Sequence, residues 1–257
     1  MIEIRPIVRG EAERFLHLLC DVFALDFNLA ENIFFNEPLY DLNRKWALFE
    51  DNHMLSIMTT VPLIFGWGRA IGIAGVATRA DRRGQGLAGM LIEKVLAESR
   101  AQGETAAFLL AKDARLYERI GFEVVDEIVR AGIREQEPEE RPDVVSFEQA
   151  RVIYDIWASR HPARLRRDER RWKYWKWNLR ICTAVEGGYA CLEGDKVREL
   201  VAEQTPESWQ VGAGVKWLGT RQMAAQCGLT LANAQVEHLL MGCSAPEPPQ
   251  MFLTDQF

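Results

Sequence analysis

Between Ile71 and Phe122 the chain reads as strand, glycine turn, helix, strand, short helix and strand, a succession that commits it to an α/β fold with a mixed sheet. The run Arg69-Ala-Ile-Gly-Ile-Ala-Gly-Val-Ala-Thr78 is apolar and broken by glycines, so it predicts a buried strand that another extended backbone can approach closely. After it comes Arg79-Ala-Asp-Arg-Arg-Gly-Gln-Gly-Leu-Ala88, a basic turn. This opens into a helix in which Leu87, Met90, Leu91, Lys94, Val95 and Glu98 separate an apolar from a charged face. A glycine turn entering a helix leaves backbone N–H groups without intrahelical partners at the positive end of the helix dipole, which is a place for phosphate. Gly84 and Gly86 carry no side chain to hold an anion off, and Arg82 and Arg83 supply charge of matching geometry. The glycine spacing differs from that of a P-loop and no Lys-Ser/Thr follows, which disfavours a nucleoside triphosphate.

Arg83-Gly-Gln-Gly-Leu-Ala88 resembles the Arg-x-x-Gly-x-Gly/Ala signature of the GCN5-related N-acetyltransferases (GNAT), and Val76-Ala-Thr78 stands where that family's central strand ends. The likeness continues through Gly103 to Leu110 as the next strand and closes on Leu116-Tyr-Glu-Arg-Ile-Gly-Phe122, a second and independent marker. The resemblance implies acetyl-coenzyme A lying along Ala74, Gly75, Val76 and Thr78. Its pyrophosphate would rest on the backbone amides of Arg83, Gly84, Gln85, Gly86, Leu87 and Ala88, with Arg82 nearby. It also implies a slot opened by two diverging strands, with the Val76 amide as donor to the oxyanion. Tyr117 would be the acid that protonates the departing thiolate, since a phenol with a pKa near 10 keeps its proton at neutral pH. Arg119 is expected to tie that corner together.

Upstream, Ile2 to Val8 reads as a first strand and Glu11 to Leu25 as a helix with Phe15, Leu18, Leu19, Val22 and Phe23 in its stripe. Leu29 to Tyr40 is an irregular helical stretch. In the resembled family this region lines the acceptor side, while Phe34, Phe35 and Tyr40 are individually best read as core. Lys45–Glu50 and Met54–Phe65 are the next strands, His53 lies at their turn, and Trp67 either caps an acceptor pocket or packs. Downstream, Glu123 to Ile133 is a strand and Arg134 to Asp143 an exposed linker. Ser146 caps a helix to Arg160 with Val152, Ile153, Ile156 and Trp157 on one side. The basic and aromatic run Arg164 to Trp177 has a nucleic-acid reading. The preferred reading is a helix with Leu165, Trp172, Trp175 and Leu179 inside and the arginines solvated. A strand pair turning at Gly194-Asp195 then resembles the start of a second, degenerate GNAT-like unit without the phosphate loop. The expected domains are 1–135, a catalytic GNAT unit, and 136–257, a second GNAT-like unit ending in an apolar tail that needs a place to dock.

Composition narrows the partners. A net charge of −6 argues against a nucleic-acid binder, and no apolar run reaches membrane-spanning length. The N-terminus lacks the pattern of a signal peptide, and five scattered cysteines fit reduced thiols, so a cytoplasmic protein with no metal site is expected. Two GNAT-like units, the doubled arginine and an aromatic last residue resemble the "enhanced intracellular survival" (Eis) type of acetyltransferase. At 257 residues there is no room for that type's third, sterol-carrier-like domain. The resemblance implies that the Phe257 carboxylate acts as base toward the amine, and the alternative is that Phe257 has no role. Asp21, Asp26 and Asp255 are further candidates for attracting a cationic amine. The expected reaction is acetyl transfer from acetyl-CoA to a primary amine of a small molecule, polyamine- or aminoglycoside-like, with peptide lysine next. A non-catalytic coenzyme A sensor is the alternative, and a homo-oligomer is compatible with either.

Overall fold

The computed structural model describes residues 1–134, 143–178, 181–202, 211 and 214–256. The first half runs β1 (Ile2–Pro6), α1 (Ala12–Phe23), α2 (Phe27–Asn36), β2 (Lys45–Glu50), β3 (His53–Phe65), β4 (Gly68–Thr78), α3 (Leu87–Ala101), β5 (Glu104–Ala111), α4 (Arg115–Glu118) and β6 (Glu123–Ile133). The second runs α5 (Phe147–Ser159), α6 (Glu169–Trp177), β7 (Ile181–Val185), β8 (Gly188–Glu193), β9 (Lys196–Ala202), β10 (Lys216–Thr220), α7 (Arg221–Gln226) and β11 (Leu231–Cys243). The predicted linker residues 135–142, the boundary at 135/136, Leu179 and Phe257 lie outside the described residues.

Among the described residues the strands form one eleven-stranded sheet in the order β1-β2-β3-β4-β5-β11-β6-β10-β9-β8-β7. Its two halves mirror each other. In one, parallel β4 and β5 are followed by α4 and β6; in the other, parallel β9 and β10 are followed by α7 and β11. Each closing strand then pairs with the opposite half, β11 antiparallel to β5 and β6 antiparallel to β10, and the two strands pair with each other. Neither half therefore completes its sheet with its own chain. A chain cut after Arg134 would bare the β5 edge along Ala107 to Ala111, which sits over a dry core and invites foreign strands. Such a fragment is expected to aggregate or unfold without a cooperative transition, as thermal melts followed by circular dichroism would record.

Alternation along the strands sends successive residues to opposite faces. Trp46, Leu48, Met58, Ile71 and Ile73 pack under α3, whereas Ala47, Phe49 and Ile57 meet α1 and α2. Asp26 caps α2, its carboxylate accepting from the Leu29 N–H at 2.9 Å, so that helix starts two residues earlier than its apolar pattern suggests. In the second half Ser146 and Gln149 form a reciprocal capping box at α5. The buried stripe of α5 is Ala150, Tyr154, Trp157 and Ala158, while Val152 and Ile156 are exposed, because the helix turns Tyr154 inward to donate to the Leu165 carbonyl at 2.9 Å.

The run Arg164 to Trp177 departs from expectation. Only residues 169–177 are helical, and Arg167 and Arg171 are buried beside Trp172 and Trp175 instead of solvated. Their charge is matched in place. Arg167 bonds Glu199 at 2.6 and 3.1 Å and Asp255 at 2.7 and 2.9 Å, and Arg171 donates to the Asp255 carbonyl at 3.1 Å and the Pro62 carbonyl at 3.0 Å. The Arg167 guanidinium lies over the Tyr154 ring, 3.6 Å from its centroid. Two of the indoles that would have stacked bases, Trp172 and Trp175, are core here, and only Trp177 is exposed. The apolar tail finds its dock in the same place, with Met251, Phe252 and Leu253 buried and Thr254 and Asp255 inside the ion network.

Candidate active site

The turn before α3 is built to hold an anion. Gly84 and Gly86 take left-handed φ of 76° and 77°, and a Cβ added at either would meet nothing within 4 Å, so the backbone faces open space. Met90 donates to the Gly86 carbonyl at 3.1 Å, whereas the N–H groups from Gly84 to Gly89 have no acceptor among the described residues. The doubled arginine is split by its surroundings. Arg82 is held by Glu50 at 2.7 Å and Gln85 at 3.1 Å, whereas the one hydrogen bond of exposed Arg83 among the described residues is to the Thr78 carbonyl, at 3.4 Å. Arg83 is thus the cation left over for a ligand. Leu87 is buried under α3, so it offers its amide and not its side chain.

Beside this turn the sheet opens. The β4–β5 register runs from Arg69/Glu104 to Ile73/Leu109 and stops there, although both strands continue. One residue later β4 bulges: Ile57 faces Ala77 and Thr59 faces Ala74, so Gly75 and Val76 oppose the single residue Met58. Gly75 adopts φ of 60°, and a Cβ there would come within 3.0 Å of Leu19. The bulge breaks the ladder at Ala74 to Val76, at the mouth of the gap between the strands. Thr78, the last residue of β4, is turned away from the gap, its hydroxyl bonded to Ser56 at 2.9 Å.

Tyr117 stands at the same end. Backbone bonds from Ile120 and Phe122 to the Tyr117 carbonyl, at 3.1 and 3.0 Å, and left-handed Gly121 fix the corner after α4. The ring packs edge-on to Phe122 and shares its apolar cluster with Val76; Ile120 approaches the first turn of α3 at Gly89. Burial pushes the Tyr117 phenol above its ordinary value, and its hydroxyl has no hydrogen bond among the described residues. Arg119 does not tie the corner: it is exposed and without an ion pair among the described residues, and the backbone bonds do the holding.

On the other side of β4 a cavity of about 420 Å³ runs between α1, α2 and the sheet, reaching Ala74 and Gly75 at one end. Phe34 lines it, whereas Phe35 and Tyr40 pack against Phe34 outside the lining. Asp26 lines it too. Asp21 and His53 border a separate surface hollow, and Asp255 is fully buried against the two arginines. Trp67 stacks on Phe65 at 4.8 Å, away from the cavity. Glu37, Lys45, Tyr174 and Gln256 are among the lining residues that were not foreseen. Lys45, almost fully buried, lies 3.3 Å from Glu37 and over the Phe34 ring, and burial draws its ammonium pKa below the ordinary value. Tyr174 of α6 and Gln256 of the tail come from the second half. Phe257 follows Gln256 and lies outside the described residues.

The five cysteines are buried and form no disulfide among the described residues, and burial lifts the Cys227 thiol to about 12, which removes it as a nucleophile. No group of His, Cys, Asp and Glu with metal-binding geometry occurs among the described residues, nor does a helix long and apolar enough to cross a membrane.

Residues 3–125 match the family described as Acetyltransferase (GNAT) domain. No curated protein matches the chain in sequence. Among solved structures, a GCN5-related N-acetyltransferase from Kribbella flavida is 17% identical, covering 94% of this chain and 70% of its own, with a TM-score of 0.71. One from Anabaena variabilis is 15% identical, with coverage of 94% and 72% and a TM-score of 0.66. Eis1 from Mycobacterium abscessus is 16% identical, with coverage of 93% and 73% and a TM-score of 0.62. At such identities the likeness is one of fold: a GNAT fold followed by a second GNAT-like part, as in the Eis type.

Proposed function

We propose that this chain, a GNAT-fold protein resembling the Eis type, is an acetyl-CoA-dependent N-acetyltransferase acting on a primary amine of a small molecule. The unpaired N–H groups from Gly84 to Gly89 carry the reading. They suit a diphosphate, and the gap beyond Ile73 and Leu109 suits the extended arm that a coenzyme A diphosphate would bring with it. Arg83 is the side chain free to reach that diphosphate, and Ala74 to Val76 would flank the arm. Bound acetyl-CoA supplies the thioester. The chain supplies three things to its reaction: the Val76 N–H as a donor to the carbonyl oxygen, Tyr117 as the proton source for the leaving sulfur, and a base for the proton the amine sheds. In the balanced step a C–N bond replaces the C–S bond, the thiolate takes the phenolic proton, and the proton lost by nitrogen ultimately restores the phenol.

For the base we retain the Phe257 carboxylate, because Gln256, one residue before it, lines the acceptor cavity. Adding a glycine after Phe257 moves that carboxylate without touching the cavity walls; an unchanged rate would remove it from the mechanism. Reduced cysteines fit a cytoplasmic setting. The domain roles follow: the GNAT unit within 1–135 binds the donor, and 136–257, lacking the phosphate loop, does not. Arg83→Ala is expected to raise the Kd for coenzyme A about 5-fold, the size of a single exposed charge contact, with little change in Tm. Titration calorimetry on the purified variant checks this.

A further inference from the structure

The cavity beside Gly75 has a composition that discriminates among amines. Leu16 and Leu19 of α1 and Val61 of β3 make its walls, and its mouth is ringed by Leu25, Leu29 and Ile33, which are 49%, 69% and 55% exposed. Leu29 and Ile33 are one turn apart on α2, so they form a single apolar edge. Its charges are few. Lys45 and Glu37 pair with each other at 3.3 Å, which leaves Asp26 as the one uncompensated carboxylate of the lining among the described residues.

The distances are set by the sheet. Lys45 faces Thr59 and Thr59 faces Ala74, so the three stand in one row across β2, β3 and β4. Two strand spacings make that row roughly 10 Å long, and the cavity falls in the size range of small-molecule sites, roughly 300–1,000 Å³. One end lies at Gly75, where the thioester would be; the other lies under the apolar edge of α2. A polycation laid along this row would place its further ammonium groups against leucine and valine, and beside Lys45, with Asp26 the one unpaired carboxylate of the lining among the described residues to replace the water they lose. An alkyl or aryl group would instead gain the burial that the exposed leucines and isoleucine lack.

On the acetyl-transfer reading above, we propose that the acceptor is a primary monoamine carried on an uncharged apolar body, the amine directed to Gly75 and the body held between α1 and α2. The polyamine- or aminoglycoside-like acceptor suggested by family resemblance fits this lining poorly.

The experiment uses the full chain and measures thiol release from acetyl-CoA with 2-phenylethylamine, tryptamine and hexylamine against spermidine and kanamycin. The apolar monoamines are expected to exceed the polycations in kcat/KM by about 10-fold or more. Leu29→Asp and Ile33→Asp, both at exposed positions and so compatible with folding, should raise the KM for 2-phenylethylamine about 10-fold and leave the calorimetric Kd for coenzyme A unchanged. Preference for spermidine or kanamycin, or an unmoved KM in both variants, would overturn the assignment while leaving acetyl transfer intact. If calorimetry on the coenzyme A complex finds 2-phenylethylamine bound, and weakened by either substitution, while no amine releases thiol, the acetyl-transfer reading fails and the pocket assignment stands.

Discussion

Tyr117→Phe is expected to lower kcat about 100-fold or more while changing the affinity for coenzyme A by less than about 2-fold, the signature of a lost proton donor. Phe keeps the ring that packs on Phe122, and the bonds that hold the corner use the Tyr117 carbonyl, not its side chain. The hydroxyl has no hydrogen bond among the described residues, so its removal strands no partner and a structural role predicts no loss. The pH profile separates the readings further. Burial raises the phenol above its ordinary value of about 10, and an acid works only while protonated, so the alkaline limb it causes lies above that value. Wild-type kcat should therefore not fall on this account between about pH 7 and 9. An unchanged kcat in the variant would remove Tyr117 from the chemistry, and donor binding without thiol release by any amine would favour a coenzyme A sensor.

Arg167→Met is expected to cost about 3–5 kcal/mol of stability and to lower Tm by roughly 6–20 °C. Arg167, Glu199 and Asp255 have side chains wholly removed from solvent, and Tyr189, Trp175 and Thr254 donate to Glu199 as well. Removing the guanidinium leaves two carboxylates without the cation between them, and neither can be rehydrated where it stands. Acidification should show the same group. Burial alone would raise the Glu199 carboxyl, but Arg167 and the donors around it hold it below the usual range. Its contribution is then present above the unfolded value of about 4.3 and lost as pH falls through the lower folded value, a slope that Arg167→Met should flatten. A Tm within about 2 °C of wild type would mean the network is dispensable.

The parts legible in sequence are those set by local chemistry. Left-handed glycines before an amphipathic stripe announce the turn at Gly84 and Gly86, and the Leu116 to Phe122 ending marks the Tyr117 corner. The Gly194-Asp195 turn and the Ser146 cap are local as well. The exchange of β6 and β11 is not, because nothing along either strand records which of two similar edges it will join. Arg167 and Arg171 were hidden by the rule that arginines face water, which fails where carboxylates distant in sequence arrive to pair with them. The cavity is assembled from α1, α2, three strands, α6 and the tail, and no single stretch displays it. One signal was available: Lys45 is in phase with Ala47 and Phe49, on the face of β2 that meets α1 and α2.

Titration of the purified chain with coenzyme A puts the unpaired amides before α3 to the most direct test. One equivalent per chain should bind, more weakly in Arg83→Ala, because only the first half carries the glycine turn. No binding at millimolar ligand, or two equivalents per chain, would contradict the assignment of that turn as the diphosphate site.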